Sequence, residues 1–266
     1  MKERLLTLMP LLALLAARSG EPAGPSPTAS QKECGGESRQ LERCQRPAAP
    51  EQNAEAAGLV SLAAGSSQLV ADFNAAKARP RFLAILSPTC SACVHGAEAI
   101  KAAVLPLGRT VDVFVVWAPM LEGDGSGPAS ASSAIVAAPH VRQYWDPDRR
   151  VGTALRKDVF PDALERMKRS IPKEHFLEPY IAKRDGTQPE WDIYLFFEPA
   201  IEWTDRAPVP SRWVRQTALF PSDQGGEPTS VLWVNDYASK PVEGSLTEHL
   251  RRLMTATATP DARTAR

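Results

Sequence analysis

Residues 82–100 read FLAILSPTCSACVHGAEAI: an apolar run, a Ser-Pro-Thr bridge, two cysteines three apart, and an alanine-rich stretch. The run RFLAILS, from Arg81 to Ser87, is too short for a buried helix and has the look of a buried strand. The residues from Cys90 onward predict a helix that stops at Pro106. Cys90 then stands at the helix start, with Thr89 or Ser87 as its cap and Pro88 stiffening the approach. Side chains at i and i+3 share one face of a first turn, so Cys90 and Cys93 are close enough to bond to each other. The unpaired N–H groups and partial positive charge of a helix N-terminus stabilise a thiolate. Cys90 is therefore expected to be the exposed nucleophile and Cys93, one turn inside, the resolving thiol.

Outward from this stretch the pattern alternates. SSQLVADFNAAK before it has helical spacing at Leu69, Val70 and Phe73, and VDVFVVWAP after it (Val111–Pro119) is a second buried strand. EGDGSGPASASS reads as a loop on its Gly and Ser content. VRQYWD (Val141–Asp146) predicts a strand and DRRVGTALRK a helix. WDIYLFFEPAIEW predicts a strand, a turn at Glu198-Pro199 and a returning strand ending at Trp203. SVLWVND (Ser230–Asp236) is a further strand, and SLTEHLRRLM a capped amphipathic helix with Leu246, Leu250 and Leu253 on one face. Strands alternating with helices give an α/β class with a central mixed β-sheet flanked by helices and an enlarged C-terminal half. The catalytic pair then lies at the C-terminal end of a central strand, where open α/β sheets carry their functional groups.

The chain begins MKERLLTLMPLLALLAARSG. A basic start at Lys2 and Arg4 precedes an uncharged run of 13 residues, Leu5 to Ala17. That length fits a signal peptide, residues 1–19, and falls short of the roughly 20 a spanning helix needs. The protein is expected to be periplasmic or secreted, with no stable membrane span after cleavage. Arg18 follows the run where a lipoprotein would need a cysteine. Residues 20–55 are a Pro/Ala-rich linker, 56–255 the folded domain, and 256–266 a disordered tail. Within the linker, Cys34 and Cys44 form either a local disulfide staple or an accessory redox or metal pair, the latter without any nearby His. With 31 basic and 31 acidic residues the formal charge is zero, which gives no electrostatic footprint for nucleic acid.

The stretch FLAILSPTCSACVHGAEAI resembles the thioredoxin superfamily, with CSAC in the active-site position. VRQYWDPDRRVGTAL followed by a strand is similar to exported thioredoxin-like and peroxiredoxin-related members. A set of bacterial exported proteins is similar in VVWAPML, QYWDPDRRVG and WDIYLFF. The resemblance implies a thioredoxin-like fold and thiol–disulfide exchange, with Cys90 attacking and Cys93 resolving. It implies no cofactor, and protein thiols or disulfides together with a redox partner as the interacting species. Ser91-Ala92 departs from the Gly-Pro or Pro-His of familiar members, so the direction of electron flow is not inherited. The family also sets a cis-proline beside the cysteines, just before a strand. Pro189, ahead of Trp191-Asp192, and Pro228, directly before SVLWV, both compete for that position.

Two further functions compete with the oxidoreductase reading. Two thiolates suit a soft ion such as copper or mercury, although no Met-rich or His-rich stretch adds ligands. A non-catalytic interaction module would keep the fold with a structural disulfide. A CxxCH haem motif is broken by Val94. His95 lies about 200° around the helix from Cys93 and is expected to point away from the sulfurs. Trp117, Tyr144, Trp145, Trp191, Trp203 and Trp213 serve either as core or as a peptide-binding surface.

Overall fold

A computed structural model describes residues 58–222 and 225–255. The expected signal segment, the expected linker with Cys34 and Cys44, and the expected tail fall on residues 1–57 and 256–266, outside the described residues.

RFLAIL forms strand β2 (Arg81–Leu86), and every residue of it is buried. Its alternate side chains feed two cores. Leu83 and Ile85 join one cluster, while Phe82, Ala84 and Leu86 join the other. This is why the run shows no polar alternation, since a strand covered on both faces has no wet side. β3 (Asp112–Trp117) pairs parallel to β2 on one side, followed outward by β4 (Val141–Trp145) and β1 (Leu59–Ser61), all parallel. On the other side β5 (Ile193–Phe197) pairs antiparallel to β2, followed by β6 (Arg212–Phe220), β7 (Thr229–Val234) and β8 (Val242–Gly244), all antiparallel. The result is a mixed eight-stranded sheet in the order β1-β4-β3-β2-β5-β6-β7-β8.

Helices cover both faces. α1 (Ser67–Ala75) packs Leu69 and Phe73 on one face, together with α4 (Arg150–Asp158), α5 (Ala163–Ser170) and the single-turn-plus α6 (Glu178–Ala182). α2 (Ser91–Ala103) and the C-terminal α7 (Leu246–Thr255) cover the other face through Ala97, Ile100, Leu250 and Leu253. Ser245 caps α7, its hydroxyl accepting from the Glu248 N–H at 3.0 Å. Among the described residues no helix is long and apolar enough to cross a membrane.

Two expectations need correction. The predicted Gly/Ser loop contains helix α3 (Ser126–Ser133). Pro128 stands third in that helix, where its missing N–H has no intrahelical partner anyway. Ala129 is buried and Ser132 Oγ donates to the Pro88 carbonyl at 2.8 Å, so tertiary contacts override weak propensity. The returning strand after β5 is not residues 200–203 but β6, beginning at Arg212. The intervening segment is drawn elsewhere: the Glu198 and Ile201 carbonyls accept from the buried Arg81 guanidinium, and Trp203 exchanges two hydrogen bonds with the Asn74 side chain.

Candidate functional site

The polypeptide leaves β2 at Leu86 and enters α2 through Ser87-Pro88-Thr89-Cys90. Cys90 itself is the N-cap, with extended backbone (φ −74°, ψ 121°). The expected caps do not cap. Ser87 and Thr89 instead bond to Asp124, from the segment before α3. Asp124 accepts from Ser87 Oγ (2.8 Å), Thr89 N (3.0 Å), Thr89 Oγ1 (2.6 Å), Met120 N (2.7 Å) and Leu121 N (2.8 Å). One carboxylate thus ties the cysteine loop to the end of β3. Burial opposes its charge, but the bonds from Thr89, Leu121, Ser87 and Met120 outweigh that and hold Asp124 below the usual carboxylate range.

The two cysteines are thiols in sharply different surroundings. Cys90 is partly exposed and Cys93 fully buried. The Cys93 S–H donating to the Cys90 sulfur is the largest effect on Cys90. With help from the N–H groups of Cys93 and Ala92, it outweighs partial burial and the Asp124 charge and brings Cys90 down to about 6. Cys93 moves the other way. Burial raises it well above an ordinary thiol, as do its bond to Cys90 and the charges of Asp192 and Cys90.

Sequence reasoning missed the residues beneath the pair. Asp192 immediately precedes β5 and adopts a left-handed backbone, φ +52°, unusual for a residue with a β-carbon. Two backbone bonds hold it there: its N–H donates to Ile85 O (2.8 Å) and its carbonyl accepts from Gln216 N (2.9 Å). Its carboxyl is buried and accepts from Tyr194 Oη at 2.8 Å. Oriented to satisfy its neighbours, the Gln216 amide donates to Asp192 Oδ1 (3.2 Å) and Ala92 O (3.0 Å) and accepts from Ser230 Oγ (2.8 Å). Burial pushes the Asp192 carboxyl up to about 8, the Tyr194 bond works against this, and the Cys90 charge adds to it. Behind Asp192 lies a buried ion pair, Arg215 Nη1 to Glu190 Oε2 at 2.6 Å, with Tyr237 Oη donating to the same oxygen at 3.2 Å.

Cys90 opens onto a cleft of about 560 Å³. Trp191 lines it, whereas Trp117, Tyr144, Trp145, Trp203 and Trp213 are buried, so five of the six flagged aromatics belong to the core. Neither Pro189 nor Pro228 lines the cleft, and Trp191-Asp192 directly precede the strand beside β2. Pro189 lies against Gly152 instead. A β-carbon at Gly152 would strike the Glu190 carbonyl, and Glu190 N donates to Gly152 O at 3.0 Å. His95 Nε2 lies 3.7 Å from Glu227, and burial lowers its pKa against the pull of that carboxylate. Among the described residues no three His, Cys, Asp or Glu side chains are grouped to hold a metal ion. The chain matches no protein-family model, no curated protein and no solved structure.

Proposed function

We propose that the protein is a thioredoxin-like thiol–disulfide oxidoreductase, exported from the cytoplasm, that exchanges disulfides with protein partners through Cys90 and Cys93. The observation that carries this reading is the divergence of two neighbouring thiols, one held down to about 6 at a helix N-cap and the other buried and raised. Structural cysteines need no such divergence, but a nucleophile and a resolving thiol do. The arrangement of a CxxC pair at the end of a central strand, with parallel neighbours on one side and antiparallel strands on the other, supports the thioredoxin-like assignment.

The steps balance as follows. The Cys90 thiolate attacks one sulfur of a partner disulfide, making a Cys90–partner bond and releasing the other partner sulfur as thiolate. Cys93 passes its proton to the Asp192 carboxylate and attacks Cys90 Sγ. The mixed bond breaks, the second partner sulfur leaves as thiolate, and a Cys90–Cys93 disulfide remains. Two electrons go to the partner, and the same steps in reverse oxidise a partner dithiol. Forming the mixed disulfide removes the Cys90 charge, which adds to burial in holding Asp192 protonated, and so shifts the balance toward the carboxylate that resolution needs.

Cys93→Ser should accumulate a thiol-sensitive covalent adduct with partners on non-reducing gels, and Cys90→Ser should form none. If Cys93→Ser traps nothing and the reduced wild type reduces no model disulfide, the assignment fails.

A further inference from the structure

The cleft at Cys90 is shaped by a mismatch in strand length. β5 pairs with β6 only over Arg212–Arg215 and Gln216 N makes the last bond to Asp192, yet β6 runs on to Phe220. Beyond Gln216 the edge of β6 that faces the cysteine helix has no strand neighbour among the described residues, while its other edge is held by β7. An edge of unpaired backbone groups is a template for an added strand.

A bulge sets what flanks that edge. The register with β7 shifts between Gln216 and Ala218. Gln216 reaches the Ala92 carbonyl on the α2 side, whereas Ala218 packs with the core on the α6 side. The bulge thus turns Ala218 and Phe220 toward the α6 face. There the exposed rings of Phe176, Tyr180 (70% exposed) and Phe220 gather, with Phe176 and Phe220 edge to face at 4.9 Å. The Thr217 hydroxyl, at the bulge itself, is buried with no hydrogen-bond partner. Arg184 also lines the cleft. Its Nε donates to the neutral Gln188 amide at 2.8 Å, and among the described residues no carboxylate lies within 4 Å of it. Of the other titratable groups there, Asp192 is held protonated by burial, Arg215 is neutralised by Glu190, and Cys90 carries the thiolate at the attacking end.

Resting on the oxidoreductase reading, we propose that this cleft is the substrate-selecting site. It takes an extended polypeptide segment that pairs with the β6 edge beyond Gln216, sets an apolar side chain among Phe176, Tyr180 and Phe220, directs an acidic side chain to Arg184, and presents its cysteine sulfur to Cys90. The unpaired edge favours a polypeptide, because a small molecule cannot use a row of main-chain groups. The guanidinium makes the preferred segment acidic rather than basic.

The test uses two peptides, each joined through its cysteine to a fluorescent thiol by a disulfide. One carries Phe and Glu near the cysteine, the other Ser and Lys at the same positions. Hydroxyethyl disulfide reports on the cysteine pair without engaging the cleft. The reduced wild type is expected to cleave the Phe/Glu peptide at least tenfold faster than the Ser/Lys peptide. Tyr180→Ser and Arg184→Gln should each cut that preference at least threefold, and Val209→Ser, an exposed residue outside the cleft, should leave it intact. Equal rates for the two peptides, with hydroxyethyl disulfide still reduced, overturn the cleft assignment alone. So does a preference that survives both cleft substitutions. If neither peptide nor hydroxyethyl disulfide is reduced, the oxidoreductase reading falls and the cleft assignment with it.

Discussion

The hydroxyl of Tyr194 occupies the space that a β-carbon on Gly96 would need, and the ring carbon bearing it would stand only 2.9 Å from that atom. Gly96 lies in α2 one turn beyond the cysteines, and Tyr194 is fully buried in β5, so the glycine lets the helix settle onto the strand that carries Asp192. Gly96→Ala gains helix propensity but forces a buried ring to move. Overpacking of this kind costs about 1–3 kcal/mol. Denaturant unfolding should show that loss, and Tyr194→Phe added to Gly96→Ala should recover part of it by removing the nearest atom. A neutral Gly96→Ala would show that the helix slides freely over β5.

Cys93 acts on Cys90 as a hydrogen-bond donor, the largest of the effects lowering the Cys90 thiol. The alkylation rate of Cys90 should therefore rise with a midpoint near 6 in the wild type. Cys93→Ala, which has no donor, should move the midpoint upward toward the ordinary thiol value of about 8.5. Cys93→Ser keeps a hydroxyl donor and should shift it less. An unchanged midpoint in Cys93→Ala would assign the acidity to the helix N–H groups alone.

What the sequence displayed depended on how local each cause was. The segments at β2, α2, β3, β4, α4, β5, β7 and α7 carry their own apolar period and were legible. The three-residue edge strands β1 and β8 are too short to hold a pattern. α3 is concealed by Gly, Pro and Ser, and β6 by a preceding segment whose carbonyls serve Arg81. The same division runs through the site. Cys90 and Cys93 are three apart and announce themselves. Asp192, Tyr194 and Gln216 come beneath them only because β5 and β6 add to β2 from about a hundred residues away in the chain. An acidic residue directly before the apolar run IYLFF is the one local sign of Asp192, and by itself it names no role.

Arg215 and Glu190 are each about 5% exposed and bonded at 2.6 Å beneath the cleft. Glu190→Ala leaves a buried guanidinium without its bonded carboxylate and should cost about 3–5 kcal/mol in unfolding free energy. Glu190→Ala combined with Arg215→Met should be more stable than Glu190→Ala alone, because the uncompensated charge is gone. If the double variant is the weaker of the two, Arg215 supports the fold through contacts other than its charge.

Asp192 should make stability depend on pH in the sense opposite to an ordinary paired carboxylate. Its carboxyl sits at about 8 in the folded protein, against about 3.9 in an unfolded chain. The folded state therefore holds this proton more tightly. The contribution is complete below about pH 4, declines as the unfolded carboxyl ionises, and is gone once pH passes about 8. Cys90 works the other way. Its folded value of about 6 against about 8.5 unfolded gives stability that is present above pH 8.5 and lost as pH falls through 6. Asp192→Asn removes the first dependence and leaves the second. The wild type minus Asp192→Asn difference in unfolding free energy, measured under reducing conditions from pH 4 to 8.5, should fall steadily with rising pH. The same variant should slow resolution of the mixed disulfide, roughly a hundredfold or more as expected for loss of a positioned base, while leaving the pH midpoint of Cys90 alkylation near 6. A flat stability difference would mean that the carboxyl ionises in the folded state at an ordinary pH, and Asp192 would then lose its place as the proton acceptor for Cys93.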